Sequence, residues 1–271
     1  MSFLTRIKGS AEAKNSRIVL ALDFNITDID AVYNTIELLA EHICSIKLNM
    51  HLILPLAIDA LRSINDYAHS KGLQSIADIK LNDIPSTNMN AIEHLYRAAF
   101  DAITLNPIIG YDTLHDTISY LHSKDMGAIA LVYMSHASAE STYGMKIEYD
   151  HKGFTIDKLY MLFLTWAVEC NADGIVVGAT RPNIIKECRD YIAKRYVNAD
   201  QKKSLDTVTA IFSPGIDVQG GDARDAIVNG TEYVIVGRSI INAQDPLAKI
   251  IKLKKAINEP IDHLDNMQSK R

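Results

Sequence analysis

The chain has 271 residues, 48% of them hydrophobic and 23% charged, with 28 Lys+Arg against 33 Asp+Glu and a formal net charge of −5. This composition excludes disordered and collagen-like classes, and at this length a core forms without disulfides or a structural metal. The mild acidity excludes a general nucleic-acid or anionic-membrane binder, because either needs basic surface to neutralise phosphate.

The stretch Met1 to Arg17 is interrupted by Arg6, Lys8, Glu12 and Lys14 and has no apolar signal-peptide core. The most apolar window, residues 159–168, is about half the length of a membrane span. A cytoplasmic protein with no membrane association is expected. Cys44, Cys170 and Cys188 share no metal-ligand or CxxC spacing and read as buried thiols. The nine histidines form no HExxH or similar cluster, so no metal site is expected.

Short β-branched runs alternate with stretches of helical period, the sequence form of repeated βα units on a parallel sheet. In chain order the predicted strands are Arg17 to Asp23, Ile43 to Leu48, Gln74 to Leu81, Ala102 to Asn106, Ala128 to Tyr133, Gly174 to Gly178, Ala210 to Ser213 and Tyr233 to Gly237. Most are continuously apolar, as strands covered on both faces should be. About eight units fill the chain, which predicts one domain, a single (β/α)8 barrel over 1–271. Ile156, Leu159, Tyr160, Phe163, Trp166, Ala167 and Cys170 recur at three and four residues and predict a helix with one apolar stripe. Three parts lie outside the repeat: an N-terminal arm at about 1–16, a polar tail at about 259–271, and a long βα loop from His136 to about Phe154, a candidate mobile cover over the barrel mouth.

The sharpest local feature is Asp78-Ile-Lys80-Leu-Asn-Asp83-Ile-Pro85 at the end of the third predicted strand. Residues two apart on a strand share a face, so Asp78 and Lys80 project together into the mouth with Ile79 turned toward the helices. Lys47 and Asp23 bring one charge each at the ends of the second and first strands. Charges of both signs around one mouth form a preorganised site in which each group holds its neighbour ionised. Taken alone, the Asp78–Lys80 motif has a structural ion pair as its lesser alternative. Asp83 falls past the strand and has no assured line to its own barrel's centre.

Across the barrel, Ser213-Pro-Gly…Gln219-Gly-Gly and Val236-Gly237-Arg238-Ser239 follow the seventh and eighth strands. Barrels bind phosphate there: glycine lets backbone N–H groups approach the oxygens, and an arginine adds a bidentate fork.

Taken in order, Asp23, Lys47, Asp78-x-Lys80-x-x-Asp83-Ile-Pro-x-Thr87, Met134-Ser-His136, Val177-Gly-Ala-Thr-Arg-Pro182, Ser213-Pro-Gly…Gln219 and Val236-Gly-Arg238-Ser make the chain resemble the orotidine 5′-phosphate decarboxylases, from about Phe3 to Pro246. The resemblance implies a cofactor-free barrel dimer that converts orotidine 5′-phosphate to uridine 5′-phosphate and CO2, the last step of UMP biosynthesis. It implies that Lys80 protonates C6, that Asp78 lies beside the departing carboxylate, and that Lys47 holds Asp78 and the ribose. Asp83, with Ile84 and Thr87, would reach the partner subunit's site. Asp23 would bind ribose, Ser135 the pyrimidine, and Pro214, Gln219, Gly237 and Arg238 the phosphate. Where many members continue Met-Ser-His with Pro-Gly, this chain has Ala137-Ser138 and a long segment through Gly153.

A rival within the superfamily is a metal-dependent sugar-phosphate decarboxylase of the 3-keto-gulonate 6-phosphate type. It places an acid where this chain has Lys47, and an ammonium there repels a divalent cation. A catalytically silent phosphate-binding barrel is the other alternative, although such a chain would be expected to have lost Asp78, Lys80 or Asp83.

Overall fold

The computed structural model describes residues 1–23, 28–197, 208–217 and 219–268. Among them are ten strands: β1 (Ile18–Ala21), β2 (Ser45–Asn49), β3 (Gln74–Leu81), β4 (Ala102–Leu105), β5 (Gly127–Tyr133), β6 (Lys146–His151), β7 (Phe154–Lys158), β8 (Gly174–Val177), β9 (Ala210–Pro214) and β10 (Tyr233–Val236). Eight of these close a parallel barrel in the order β1-β10-β9-β8-β5-β4-β3-β2, and β6 and β7 form a separate antiparallel hairpin. The eight predicted strands are the eight barrel strands, with ends differing by a residue or two.

The helices are α1 (Phe3–Ala13), α2 (Ile29–Leu39), α3 (Met50–Ile53), α4 (Ile58–Ser70), α5 (Pro85–Arg97), α6 (Tyr111–Ser123), α7 (Leu159–Glu169), α8 (Pro182–Val197), α9 (Ala223–Val228), α10 (Arg238–Ile241) and α11 (Pro246–Gln268). None among the described residues is long and apolar enough to cross a membrane.

Strand alternation divides the core in two. Val19, Ala21, Ile76, Ala102, Ile129, Leu131, Val176, Phe212 and Ile235 point inward and fill the barrel. Their neighbours Ile18, Leu20, Ile46, Leu48, Ile103, Leu105, Ala130 and Val234 point outward beneath the helices.

The N-terminal segment precedes the first βα unit, but it is a packed helix where an arm was expected. Residues 3–13 form α1, started by the Ser2 side chain, which accepts from the Thr5 amide. Phe3, Ile7 and Ala11 lie one turn apart along one face and join the barrel-interior cluster. They close the end opposite the strands' C-termini, where a β-carbon on Gly127 would overlap the Phe3 ring. Polarity of the exposed face masked this helix in the sequence. The C-terminal segment is corrected likewise: α11 continues to Gln268, with Ile250, Leu253 and Ile257 buried along it, and residues 269–271 lie outside the described residues.

A third correction concerns residues 136–158. A short 3-10 turn at Ala137–Ser141 leads into the β6–β7 hairpin, which lies against α7. Tyr149 meets Trp166 edge-on at 5.9 Å, and Glu169 accepts His151 at 3.0 Å and Lys152 at 2.6 Å. The hairpin therefore covers a helix. This is why α7 is buried on nearly every side, from Tyr160 through Val168, where one stripe was expected, and why Ile156 belongs to β7.

One arrangement recurs three times at the closed end. Asp101, directly before β4, accepts the amide of Ser75 in β3 at 2.8 Å and pairs with His69 of α4 at 2.7 Å. Asp173, directly before β8, accepts the amide of Ala128 in β5 at 2.9 Å and pairs with His122 of α6 at 2.8 Å. Glu232, directly before β10, accepts the amide of Ile211 in β9 at 2.6 Å and pairs with Arg189 of α8. In each case an acid satisfies an otherwise open strand-end donor and is held by a basic side chain, histidine twice and arginine once, from the helix that leads into that strand.

Candidate functional site

At the strands' C-terminal ends the barrel opens on a cavity of about 220 Å³. Its floor is the top of the interior cluster, Ala21, Leu131, Val176 and Ile235. The charged wall comes from β2, β3 and β4, and the glycine-containing wall from β9 and β10, across the barrel from β3.

On the charged wall Asp78 is the centre. Its Oδ2 accepts Lys47 Nζ at 2.7 Å and its Oδ1 accepts Lys80 Nζ at 2.6 Å. Thr104 of β4 donates to the same Oδ1 at 3.0 Å. Burial alone would raise the Asp78 pKa, but the two ammonium groups outweigh it and hold the carboxyl well below the usual carboxylate range. Lys47 is itself buried, whereas Lys80 keeps 38% of its side chain exposed toward the cavity.

The alternation that predicts a shared face for Asp78 and Lys80 is not regular. The β3–β4 register shifts between Ala77 and Leu81, and Lys80 takes a left-handed φ of 49°. Such a bulge re-aims a side chain. Ile79 still packs against the outer core, as expected.

Asp23, just beyond β1, accepts Asn49 Nδ2 at 2.7 Å. A β-carbon on Gly237 would lie 2.9 Å from Asp23 Oδ2 and 2.8 Å from the Ala21 carbonyl, so glycine is what lets β10 end this close to β1. Asp23, Lys47, Asp78, Lys80, Ser135, Pro214, Gln219, Gly237 and Arg238 all line the cavity. Gly215, at φ 95°, brings the chain after β9 against Ser135 and Gln219.

Asp83, Ile84 and Thr87 do not reach this cavity. All three are exposed, and Asp83 is fixed in a turn in which its Oδ1 accepts the Ile84 amide at 2.7 Å and its amide donates to Asn88 at 3.0 Å.

Thr104 and Asn49 were not anticipated. Thr104 stands at an inward position near the end of β4, where the alternation applied to β3 would have found it. Asn49 closes β2 and starts α3, its Oδ1 accepting the His51 amide; the sequence shows only an asparagine at a strand end.

The family model described as Orotidine 5′-phosphate decarboxylase / HUMPS family matches residues 16–253. Among curated proteins, the orotidine 5′-phosphate decarboxylase of Pyrococcus abyssi is 35% identical over 230 residues, 84% of this chain and 93% of that protein. That of Methanosarcina mazei is 32% identical over 86% of this chain and 91% of its own length. Among solved structures, orotidine 5′-phosphate decarboxylase from Pyrococcus horikoshii superposes with a TM-score of 0.69 at 28% identity, over 89% of this chain and 99% of that one. UMP synthase of Leishmania donovani shares the fold, with a TM-score of 0.76 at 22% identity over 96% of this chain and 56% of that one.

Proposed function

The chain belongs to the Orotidine 5′-phosphate decarboxylase / HUMPS family and is a carboxy-lyase, and from that premise we propose that it decarboxylates orotidine 5′-phosphate without a cofactor, with Lys80 as the proton donor to C6. The observation that carries this reading is the Lys47–Asp78–Lys80 array on one wall of a cavity whose other wall holds Arg238.

The nucleotide's phosphate lies against Arg238, Gln219 and the chain at Pro214 and Gly237, where a guanidinium fork and close-approaching backbone suit a dianion. The ribose hydroxyls meet Asp23 and Lys47, and the base lies under Ser135 with C6 toward Lys80. The bond from C6 to the carboxylate breaks, its electron pair stays on C6, and CO2 leaves. Lys80 stabilises the developing charge and then transfers a proton to it; the neutral amine regains a proton from solvent. Asp78 serves twice. Held ionised, it aims the Lys80 ammonium, and it presents a like charge to the substrate carboxylate that decarboxylation removes. Phosphate binding, remote from C6, contributes the free energy that organises this wall.

Lys47 supports the decarboxylase reading over the metal-dependent branch. Its ammonium sits 2.7 Å from the carboxylate that a divalent cation would need, and it repels such a cation.

The active unit in this reading is a homodimer. The connections after the adjacent strands β2, β3 and β4 expose Met50 and Leu54, Ile84, and Ile108 respectively, an apolar surface that suits a second copy. Asp83 and Thr87 on that surface then enter the partner's site.

The test is consumption of orotidine 5′-phosphate by EDTA-treated protein, followed by absorbance and CO2 release, with Lys80→Ala alongside. Metal-independent turnover lost in the variant is expected. No turnover, or turnover only with added divalent metal, would overturn the reading.

A further inference from the structure

We propose that Glu140 is a positioning residue for the base end of the site, acting through Tyr133 to hold the segment Met134–His136 in place. This rests on the reading of the cavity as a nucleotide site with Ser135 at the base.

Met134, Ser135 and His136 line the cavity, and the connection that follows them runs Ala137-Ser138-Ala139, with neither proline nor glycine to fix its backbone. Proline would restrict the backbone of such a turn; alanine and serine do not. The restraint here comes from side chains. The Tyr133 ring is fully buried at the end of β5, and its hydroxyl donates to Glu140 Oε2 at 2.7 Å. The two ends of the segment are thereby fastened to one another around the cavity-lining residues.

Glu140 is held from two further directions. Arg181, in the turn after β8, stands 3.5 Å from Glu140 Oε2 with its guanidinium 5.8 Å from the centre of the Tyr133 ring. Behind it, a β-carbon on Gly144 would lie 2.6 Å from Glu140 Oε1 and 2.7 Å from its carbonyl, so the chain after the 3-10 turn closes directly on the glutamate. Neither Glu140 nor Arg181 lines the cavity. Their effect on a ligand passes through the segment they fasten, and that segment meets the base; it touches the chain after β9 where Ser135 packs on Gly215, while Gly237 and Arg238 of the phosphate wall follow β10.

The experiment compares binding of uridine 5′-phosphate, which has base and phosphate, with ribose 5-phosphate, which lacks the base. The variants are Glu140→Ala, Glu140→Gln and Tyr133→Phe, with Glu140→Ala/Tyr133→Phe as the double. Glu140→Ala and Tyr133→Phe are each expected to weaken uridine 5′-phosphate by about tenfold, the scale of one charge-assisted hydrogen bond, and ribose 5-phosphate by less than about twofold. The double variant should be no weaker than about either single, because both remove one contact. Glu140→Gln keeps an acceptor for Tyr133 and should recover most of the loss. Equal weakening of both ligands, no weakening of either, or additive singles would overturn the proposal. Glu140 is exposed, so its variants should melt near the unaltered protein, and Trp166 fluorescence reports this. If the unaltered protein bound neither ligand, the nucleotide-site reading itself would fail, an outcome distinct from all of these.

Discussion

Lys80 reaches Asp78 at 2.6 Å from a backbone that has left the strand conformation. The left-handed φ costs about 1–2 kcal/mol for a residue with a β-carbon, and the Lys80 amide, turned out of the ladder, donates to Thr104 Oγ1 at 2.9 Å. Thr104 thus serves both the strained amide and the Asp78 carboxylate. Thr104→Val should cost about 1–3 kcal/mol of stability and lower kcat with little change in KM. Calorimetry and steady-state kinetics measure both; a change in KM alone would show that Thr104 acts on ligand binding and not on the aim of Lys80.

Asp78→Ala leaves two neighbouring ammonium groups without their shared partner. Removing one member of a buried pair costs about 3–5 kcal/mol, and turnover should fall by about a hundredfold or more with the loss of the preorganised charge. Lower stability with unchanged turnover would reduce the array to a structural ion pair.

Arg238→Ala should weaken uridine 5′-phosphate by at least about tenfold while leaving uridine nearly unaffected, because a guanidinium–phosphate pair is charge-assisted and bidentate. Titration calorimetry with both ligands checks it. Equal effects would move Arg238 out of the phosphate site.

Asp83 is exposed and faces away from its own cavity, so the proposed dimer predicts complementation. Asp83→Ala and Lys80→Ala should each be inactive alone, and equal mixing after dissociation should restore about a quarter of normal activity, from mixed dimers with one intact site. A mixture as inactive as its parts would mean that each subunit is self-contained.

The closed end of the barrel predicts a pH dependence of stability. Hydrogen bonds to Asp101 and Asp173 raise the pKa values of His69 and His122. A group whose folded pKa is raised stabilises fully below its unfolded value, about 6.5 for histidine, and loses that contribution as pH rises through the folded value. His122→Gln should therefore lower Tm more at about pH 5.5 than at about pH 9. Arg189, the cation of the third such arrangement, stays charged throughout, so Arg189→Gln should cost the same at both. Asp78 works in the opposite sense, its depressed pKa giving stability that is lost only in strong acid.

Much of this was legible in the sequence because a parallel barrel strand is largely apolar on both faces, so a charged residue within it stands out. Lys47, Asp78 and Lys80 are such residues, and they meet at the mouth, although Lys80 does so from a bulge and not by plain alternation. The bulge at Lys80 was not legible, since it depends on the register with β4. The hairpin at 146–158 escaped because its polar residues pattern like a loop, and its apolar ones complete the surface of α7. The role of α1 was hidden because Phe3 and Ile7 only become core once a ring of strands stands around them. The acid before each of β4, β8 and β10 looks like a surface charge until the strand-end amide it serves is in view.

Among the described residues, Phe3 and Ile7 close one end of the barrel and leave it open at the other. For the proposed reaction, the gas and the nucleotide share one way out. Among the described residues the packed interior below Leu131 and Ile235 offers carbon dioxide no passage, so in that reaction it would leave through the mouth by which the nucleotide enters. A shared opening of this kind makes the bound nucleotide itself the obstacle that the gas has to pass or wait behind.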